Sequence, residues 1–168
     1  IGPVIAQSLH AWFSEPHNGK IEIKEGVFHF KGKQIVDGMI KIDMNSLVNL
    51  DIDYELMNGV LENVIKSDAF FDVVNFPEAV FRIYSVKQVD RNIYFVAGDL
   101  RIREAEKCIN FNTQMRVLGD TLTVVTESLK INRTNWGITA MSKDYLNSED
   151  GYVVQDTINF SFVLKAIR

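Results

Sequence analysis

Only one cysteine is present, Cys108, which excludes an internal disulfide and any cysteine-based zinc site. A lone cysteine does not fix the redox compartment. Three prolines in 168 residues exclude a proline-rich linker, and neither a low-complexity tract nor an internal repeat is visible. No apolar run approaches the ~18 residues that cross a bilayer as a helix. There is no basic surplus: the formal net charge is −4, and Lys and Arg are scattered singly. Nucleic acid is therefore not an expected partner, and bulk charge does not draw the chain to an anionic membrane surface. The first residue is Ile1 rather than Met, which fits a trimmed or mature form.

The motifs of enzyme chemistry are missing as well. No H-E-x-x-H, G-x-S-x-G, P-loop or G-x-G-x-x-G sequence occurs. The three histidines, His10, His17 and His29, lack metal-ligand spacing and read as surface or loop imidazoles. Ser46 reads as a turn residue and Ser67 as the N-cap of a short helical turn covering Ser67 to Phe71. Cys108, in a strand pattern beside Lys107, reads as a buried or edge structural thiol. Asn132-Arg133-Thr134 and Asn159-Phe160-Ser161 match the glycosylation sequon by chance, inside or beside strand patterns. No pair of carboxylates is recognisable as an acid and base. The expectation is a non-enzyme without cofactor or metal.

What the chain does have is alternation. Its length sets one domain over 1–168, large enough to bury about 70% of its unfolded surface. Every second side chain of a strand faces the same way, so alternating apolar and polar residues mark half-buried strands. Such runs occur at Val27–Lys31, Met39–Met44, Val80–Val86, Ile93–Arg103, Lys107–Val117, Thr121–Arg133 and Thr157–Ala166. Turn signals fall at Glu25-Gly26, Lys31-Gly32-Lys33, Asp37-Gly38, Asp90-Arg91-Asn92 and Gly119-Asp120. One segment, Asp51 to Ser67, has helical spacing through Tyr54, Val60, Leu61, Val64 and Ile65, with Asp51 and Asp53 favouring its start through the helix dipole. The polar stretch Asp144 to Asp150 reads as a loop. Seven or eight antiparallel strands with one helix fit a sandwich or a closed barrel, and a barrel of about eight strands can enclose one ligand. Eleven Phe, five Tyr, two Trp and five Met supply either an ordinary core or the wall of an apolar cavity.

The order of motifs is more specific. Ile65-Lys66-Ser67-Asp68-Ala69-Phe70-Phe71-Asp72 is followed by Asn75-Phe76-Pro77-Glu78-Ala79-Val80-Phe81, then by Gly98-Asp99-Leu100-Arg101-Ile102 and Arg133-Thr134-Asn135-Trp136-Gly137-Ile138. From about Trp12 to the C-terminus the chain resembles the YceI-like family of polyisoprenoid-binding proteins. It departs from the family's habits in having Glu104-Ala105-Glu106 after the L-x-I strand and Val64 near the helix end. The resemblance implies an all-β protein: an eight-stranded antiparallel lipocalin-like β-barrel with one packed α-helix. It also implies a long isoprenoid lipid in the lumen, either a polyprenyl diphosphate or an isoprenoid quinone or its precursor. Many members are periplasmic or secreted, others are cytoplasmic, and homodimers are common. The strand faces that would line such a tunnel carry Phe28, Phe30, Ile40, Ile42, Phe81, Ile83, Leu100, Ile102, Ile109, Phe111, Phe160 and Phe162. His17, Lys66 and Arg133 are the candidate headgroup donors, although the R-T-x-W-G and F-F-D motifs are expected to be mainly structural. The rival expectation is a non-catalytic interaction or stress protein whose barrel is filled by its own side chains.

Overall fold

Strands joined by turns of a few residues must pair with their sequence neighbours, and the chain does so almost throughout. The computed structural model describes residues 4–7, 9–10, 16–32, 34–145 and 153–167. In chain order the strands are β1 (Val4–Gln7), β2 (Leu9–His10), β3 (Pro16–His17), β4 (Gly19–Lys31) and β5 (Gln34–Asn49). A helix, α1 (Glu55–Lys66), precedes β6 (Glu78–Asp90), β7 (Ile93–Ile102), β8 (Ala105–Leu118), β9 (Thr121–Asn132), a 3-10 turn at Arg133–Trp136, and β10 (Thr157–Ile167). The imidazole of His10, Trp12 and the expected loop beyond Tyr145 lie outside the described residues.

The seven long strands form an antiparallel meander that curls until its edges nearly meet. Short β1 closes it as the eighth strand, pairing with β10 over four residues and with β4 through Val4 and Ile21. Closure removes the exposed edges that would otherwise recruit another strand. At one end lie the hairpin turns, where Gly32, Asn92 and Gly119 take φ values of 65°, 61° and 59°. Ile35, Val86 and Leu122 are buried near that end and fill it. The opposite end carries α1, the segment 67–77 and the turn Arg133–Trp136.

Two expected turns are not turns. Glu25-Gly26 lies inside β4 and Asp37-Gly38 inside β5, and both strands are far longer than their alternating cores. The pairing of these strands shifts register near both sites, between Ile23 and Glu25 and between His29 and Phe30. A β-bulge inserts a residue without ending the strand, so it looks like a turn in sequence. A larger shift between Lys20 and Glu22 is patched by Ser46, whose hydroxyl accepts from the Glu22 amide at 2.7 Å and donates to the Asp43 carbonyl at 2.6 Å. Ser46 thus serves a bulge rather than a turn.

The helix also starts later than its spacing predicts. Asp51 does not cap it: its carboxylate accepts from His17 Nδ1 at 3.1 Å and from the Asn18 amide at 2.7 Å, tying the chain to the start of β4. Tyr54 is the N-cap position and makes no side-chain cap. Leu61 and Ile65 are the buried face, while Tyr54 and Val60 are exposed. A hydrogen-bonded turn does form over 67–71, the Phe70 amide donating to the Ser67 carbonyl at 3.1 Å, but Ser67 does not cap it: its hydroxyl donates to the Val64 carbonyl at 2.7 Å and ends α1.

Trp136 locks the far end to the barrel. It is buried, and its Nε1–H donates to the Leu100 carbonyl at 2.9 Å. Gly137 follows with φ 75°, a conformation that suits glycine after the 3-10 turn. Trp136→Phe removes that donor and part of the ring while keeping an apolar group. The expected cost is about 1–2 kcal/mol, read as a melting temperature lower by roughly 5 °C.

Candidate functional site

Inward-facing side chains of the seven long strands leave a lumen. The empty space inside the wall, its open mouth included, is about 1350 Å³. A wall this apolar around an open-mouthed space suits an apolar guest. Eleven of the twelve wall candidates line it: Phe28, Ile40, Ile42, Phe81, Ile83, Leu100, Ile102, Ile109, Phe111, Phe160 and Phe162. Phe30 does not; it is half-buried against the core near the hairpin end, beyond the lining. Phe111 stands between Phe81 and Phe162, with ring centroids 5.8 and 6.2 Å away. Two glycines make room for this wall. A Cβ on Gly98 would lie 2.6 Å from the Phe81 ring and 2.3 Å from the Arg82 carbonyl, and one on Gly38 would lie 3.1 Å from the Phe28 ring.

The lining also includes Ile21, Ile23, Leu47, Ile65, Phe71 and Val96, which the alternating runs did not single out. Phe71 belongs to the F-F-D motif, so that motif both shapes the far end and contributes wall. Asp72, at φ 48°, holds the turn there by accepting from Asn75 Nδ2 at 3.0 and 3.1 Å.

Polar lining is confined almost wholly to one end. His17, Asn18, Lys20 and Asn49 gather where β4 begins and β5 ends, beside α1. The exception, Thr113, is satisfied: it donates to the Val125 carbonyl and accepts from the Thr126 hydroxyl, each at 2.8 Å. His17 is not the surface imidazole its sequence suggests. Only 13% of its side chain is exposed, its Nδ1 is held by Asp51, and its buried Nε2 has no partner. Asn49 is buried too; its amide N–H donates to Glu62 Oε1 at 2.9 Å, and its Nδ2 has no partner.

The other headgroup candidates lie elsewhere. Lys66, half-buried at the end of α1, faces Glu62 at 3.8 Å and does not line the cavity. Arg133 is 2% exposed and also outside the lining. It donates to the carbonyls of Ile138 and Ala140 at 2.8 Å, Val154 at 3.0 Å and Gln155 at 3.2 Å, and pairs with Asp156 at 3.0 Å. Burial holds its guanidinium below the ordinary arginine value, and the Asp156 carboxylate opposes that shift. Arg133 thus staples its own loop, with its donors turned to carbonyls away from the cavity.

His29 is exposed and pairs with Asp37 on the outer face of the barrel. Cys108 is neither buried nor on an edge strand: it is exposed on β8, with its Sγ 2.9 Å from the Tyr84 hydroxyl. That contact raises the Tyr84 phenol above its usual value, chiefly through the hydrogen bond to Cys108. Among the described residues no group of three or more His, Cys, Asp or Glu could hold a metal, and no helix is long and apolar enough to cross a membrane.

Comparison with known proteins agrees with this architecture. The chain is similar to BcnA of Burkholderia cenocepacia, at a TM-score of 0.75 and 19% identity over 98% of this chain and 95% of that one. It is also similar to a Campylobacter jejuni YceI protein, at a TM-score of 0.66 and 18% identity over 89% of this chain and 84% of that one. No curated protein matches. The family model of the YceI-like domain matches residues 4–166, so the chain belongs to the YceI-like family.

Proposed function

We propose that this protein binds one long-chain isoprenoid lipid inside its barrel and carries or stores it without catalysis. The observation that supports this most is the lumen itself: an elongated apolar cavity with its polar residues gathered at one end. A lipid tail fills such a space by burial alone, at about 25 cal/mol per Å² of apolar area removed from water. A polar headgroup must stay wet at the open mouth or find partners there. Strands of ten to sixteen residues rise ~3.3 Å per residue, which gives a tunnel on the order of 30 Å for a long thin guest. An apolar cavity inside the wall favours this reading over a barrel filled by its own side chains.

The test is extraction of the purified protein with organic solvent, paired with native mass spectrometry before and after. One equivalent of a lipid whose fragments fall in isoprene steps is expected. Recovery of straight-chain fatty acids alone, or of protein with no bound lipid, sinks the reading.

A further inference from the structure

We infer that the protein docks on an anionic phospholipid bilayer through the rim of β8, β9 and β10 at the hairpin end. This surface lies outside the barrel and works whatever fills the lumen. Residues opposite one another on paired strands share a face of the sheet. Leu118 pairs with Thr121, which pairs with Ile167; one step down, Arg116 pairs with Thr123, which pairs with Lys165. Thr113, Met115, Val124 and Leu164 of the same strands line the lumen, so these two rows face outward. Leu118 and Ile167 are 79% and 84% exposed, and Val117 beside them is 55% exposed.

The rim also stands proud of its neighbour. The Met115 amide donates to the Asn92 carbonyl of the β6–β7 turn at 2.9 Å, and β8 runs on to Leu118. Three further residues at ~3.3 Å each carry the β8–β9 tip about 10 Å beyond that turn. Interfacial segments enter the headgroup boundary to a similar depth, about 5–10 Å.

Charge selects the partner. The chain as a whole carries −4, but this end is basic. Lys31, Lys87, Arg91, Arg116 and Lys165 are exposed around it, against Asp37, Asp90 and Asp120. Asp37 is already paired with His29, and none of the five cations has an ion pair among the described residues. Elsewhere on β4 and β5 the lysines are paired, Lys20 with Glu22, Lys24 with Glu78 and Lys41 with Glu25. Neither outward row holds a carboxylate, and the row below them, Gln114, Val125 and Val163, holds none either.

An exposed apolar tip calls for an apolar phase, and unpaired cations call for anions. A nucleic acid offers the anions without the apolar phase. A bilayer of acidic phospholipids offers both, and it takes a convex tip without a matching pocket. Leu118, Val117 and Ile167 enter below the phosphates, while the long stems of Arg116 and Lys165 keep their charged heads at phosphate level. The α1 end, with Asp51, Asp53 and Glu55 exposed, is left facing water.

Flotation at low salt tests this, with vesicles of phosphatidylcholine alone and of phosphatidylcholine containing one-third phosphatidylglycerol. Binding to the anionic vesicles is expected to be at least tenfold tighter than to the neutral ones and to fall away toward 1 M salt. The double variant Arg116→Gln/Lys165→Gln is expected to weaken it about thirtyfold, the worth of two surface cations. Leu118→Ser/Ile167→Ser is expected to weaken it on the order of tenfold or more. Lys130→Gln/Lys143→Gln removes two exposed cations away from the rim and is expected to change nothing. All the substituted side chains are at the surface, and an unchanged melting temperature confirms that each variant is folded. Equal binding to both vesicles, no binding to either, or an equal loss in the Lys130/Lys143 variant overturns the assignment. So does sedimentation showing a dimer that the rim variants dissolve while vesicles stay unbound, which would give this face to a second copy of the chain.

Discussion

Arg133→Met is expected to lower the melting temperature by roughly 10 °C, the largest loss from any single polar side chain in this fold. The guanidinium is 2% exposed and answers four backbone carbonyls from two separated stretches, Ile138 and Ala140 on one side and Val154 and Gln155 on the other. It also lies 5.4 Å over the Phe70 ring and pairs with Asp156, which in turn accepts from Ser142 at 2.8 Å. Deleting the cation leaves the carbonyls and the Asp156 carboxylate without their donor, a mechanism that costs about 3–5 kcal/mol when one partner of a buried pair is lost. Each kcal/mol moves the midpoint of a domain this size by roughly 2–4 °C. Arg133→Lys is expected to recover only part of the loss, because an ammonium has three donors and lacks the planar fork that reaches both stretches. Thermal unfolding followed by circular dichroism checks both variants. An unchanged midpoint combined with lost lipid would return Arg133 to the headgroup.

The barrel was legible because the alternating runs and three of the turns are local signals. Val80–Val86, Ile93–Arg103 and Thr157–Ala166 each lie within a single observed strand or overrun it by one residue. What escaped was every place where the two-residue period breaks. In β4 the lining residues are Ile21 and Ile23 and then Phe28, an odd step that the bulge near Lys24 absorbs. In β9 the phase passes from Val124 to Leu129 across the irregularity where Phe160 and Phe162 pair with Leu129 and Thr126. A one-residue slip moves every later side chain to the other face, so alternation alone names only half of such a strand's wall. Lengths of turn and bulge look alike in sequence, which is why Glu25-Gly26 and Asp37-Gly38 read as turns.

The polar end was less legible for a different reason. His17 gains its role from Asp51, thirty-four positions away, and Asn49 from its register with Gly19. His17 opens the short His17-Asn18-Gly19 motif and Asn49 sits in none, while Asp51 carries the ordinary signature of a helix start. Arg133 had the opposite fault: it sits in a conspicuous motif and is a cation, but burial turns it toward carbonyls. Position relative to the lumen, which only the fold supplies, separates the two.

Phe111→Asp is expected to abolish lipid retention while leaving the barrel folded. Phe111 projects from β8 into the lumen, where it meets Phe81 and stands edge-on to Phe162, the rings inclined at 39° and 85°. A ligand chain running from the His17 end toward the hairpin end passes this aromatic cluster. A carboxylate there finds apolar lining and the already satisfied Thr113 hydroxyl, so a bound tail would strip its water without replacing it. Leaving a charged group dry and unpaired costs several kcal/mol, enough to weaken binding on the order of 100-fold or more. In the lipid-free barrel the lumen opens to water at its mouth, so the same carboxylate can keep its hydration. Retention should therefore fail much further than stability does. Phe111→Leu is the matched control: it trims the ring but keeps the wall apolar, and its lipid load should stay within a few-fold of the parent protein. Lipid recovered per mole of folded protein, measured alongside the melting temperature, distinguishes the outcomes. A folded Phe111→Asp protein that still carries a full equivalent of lipid would place the chain elsewhere than along this face.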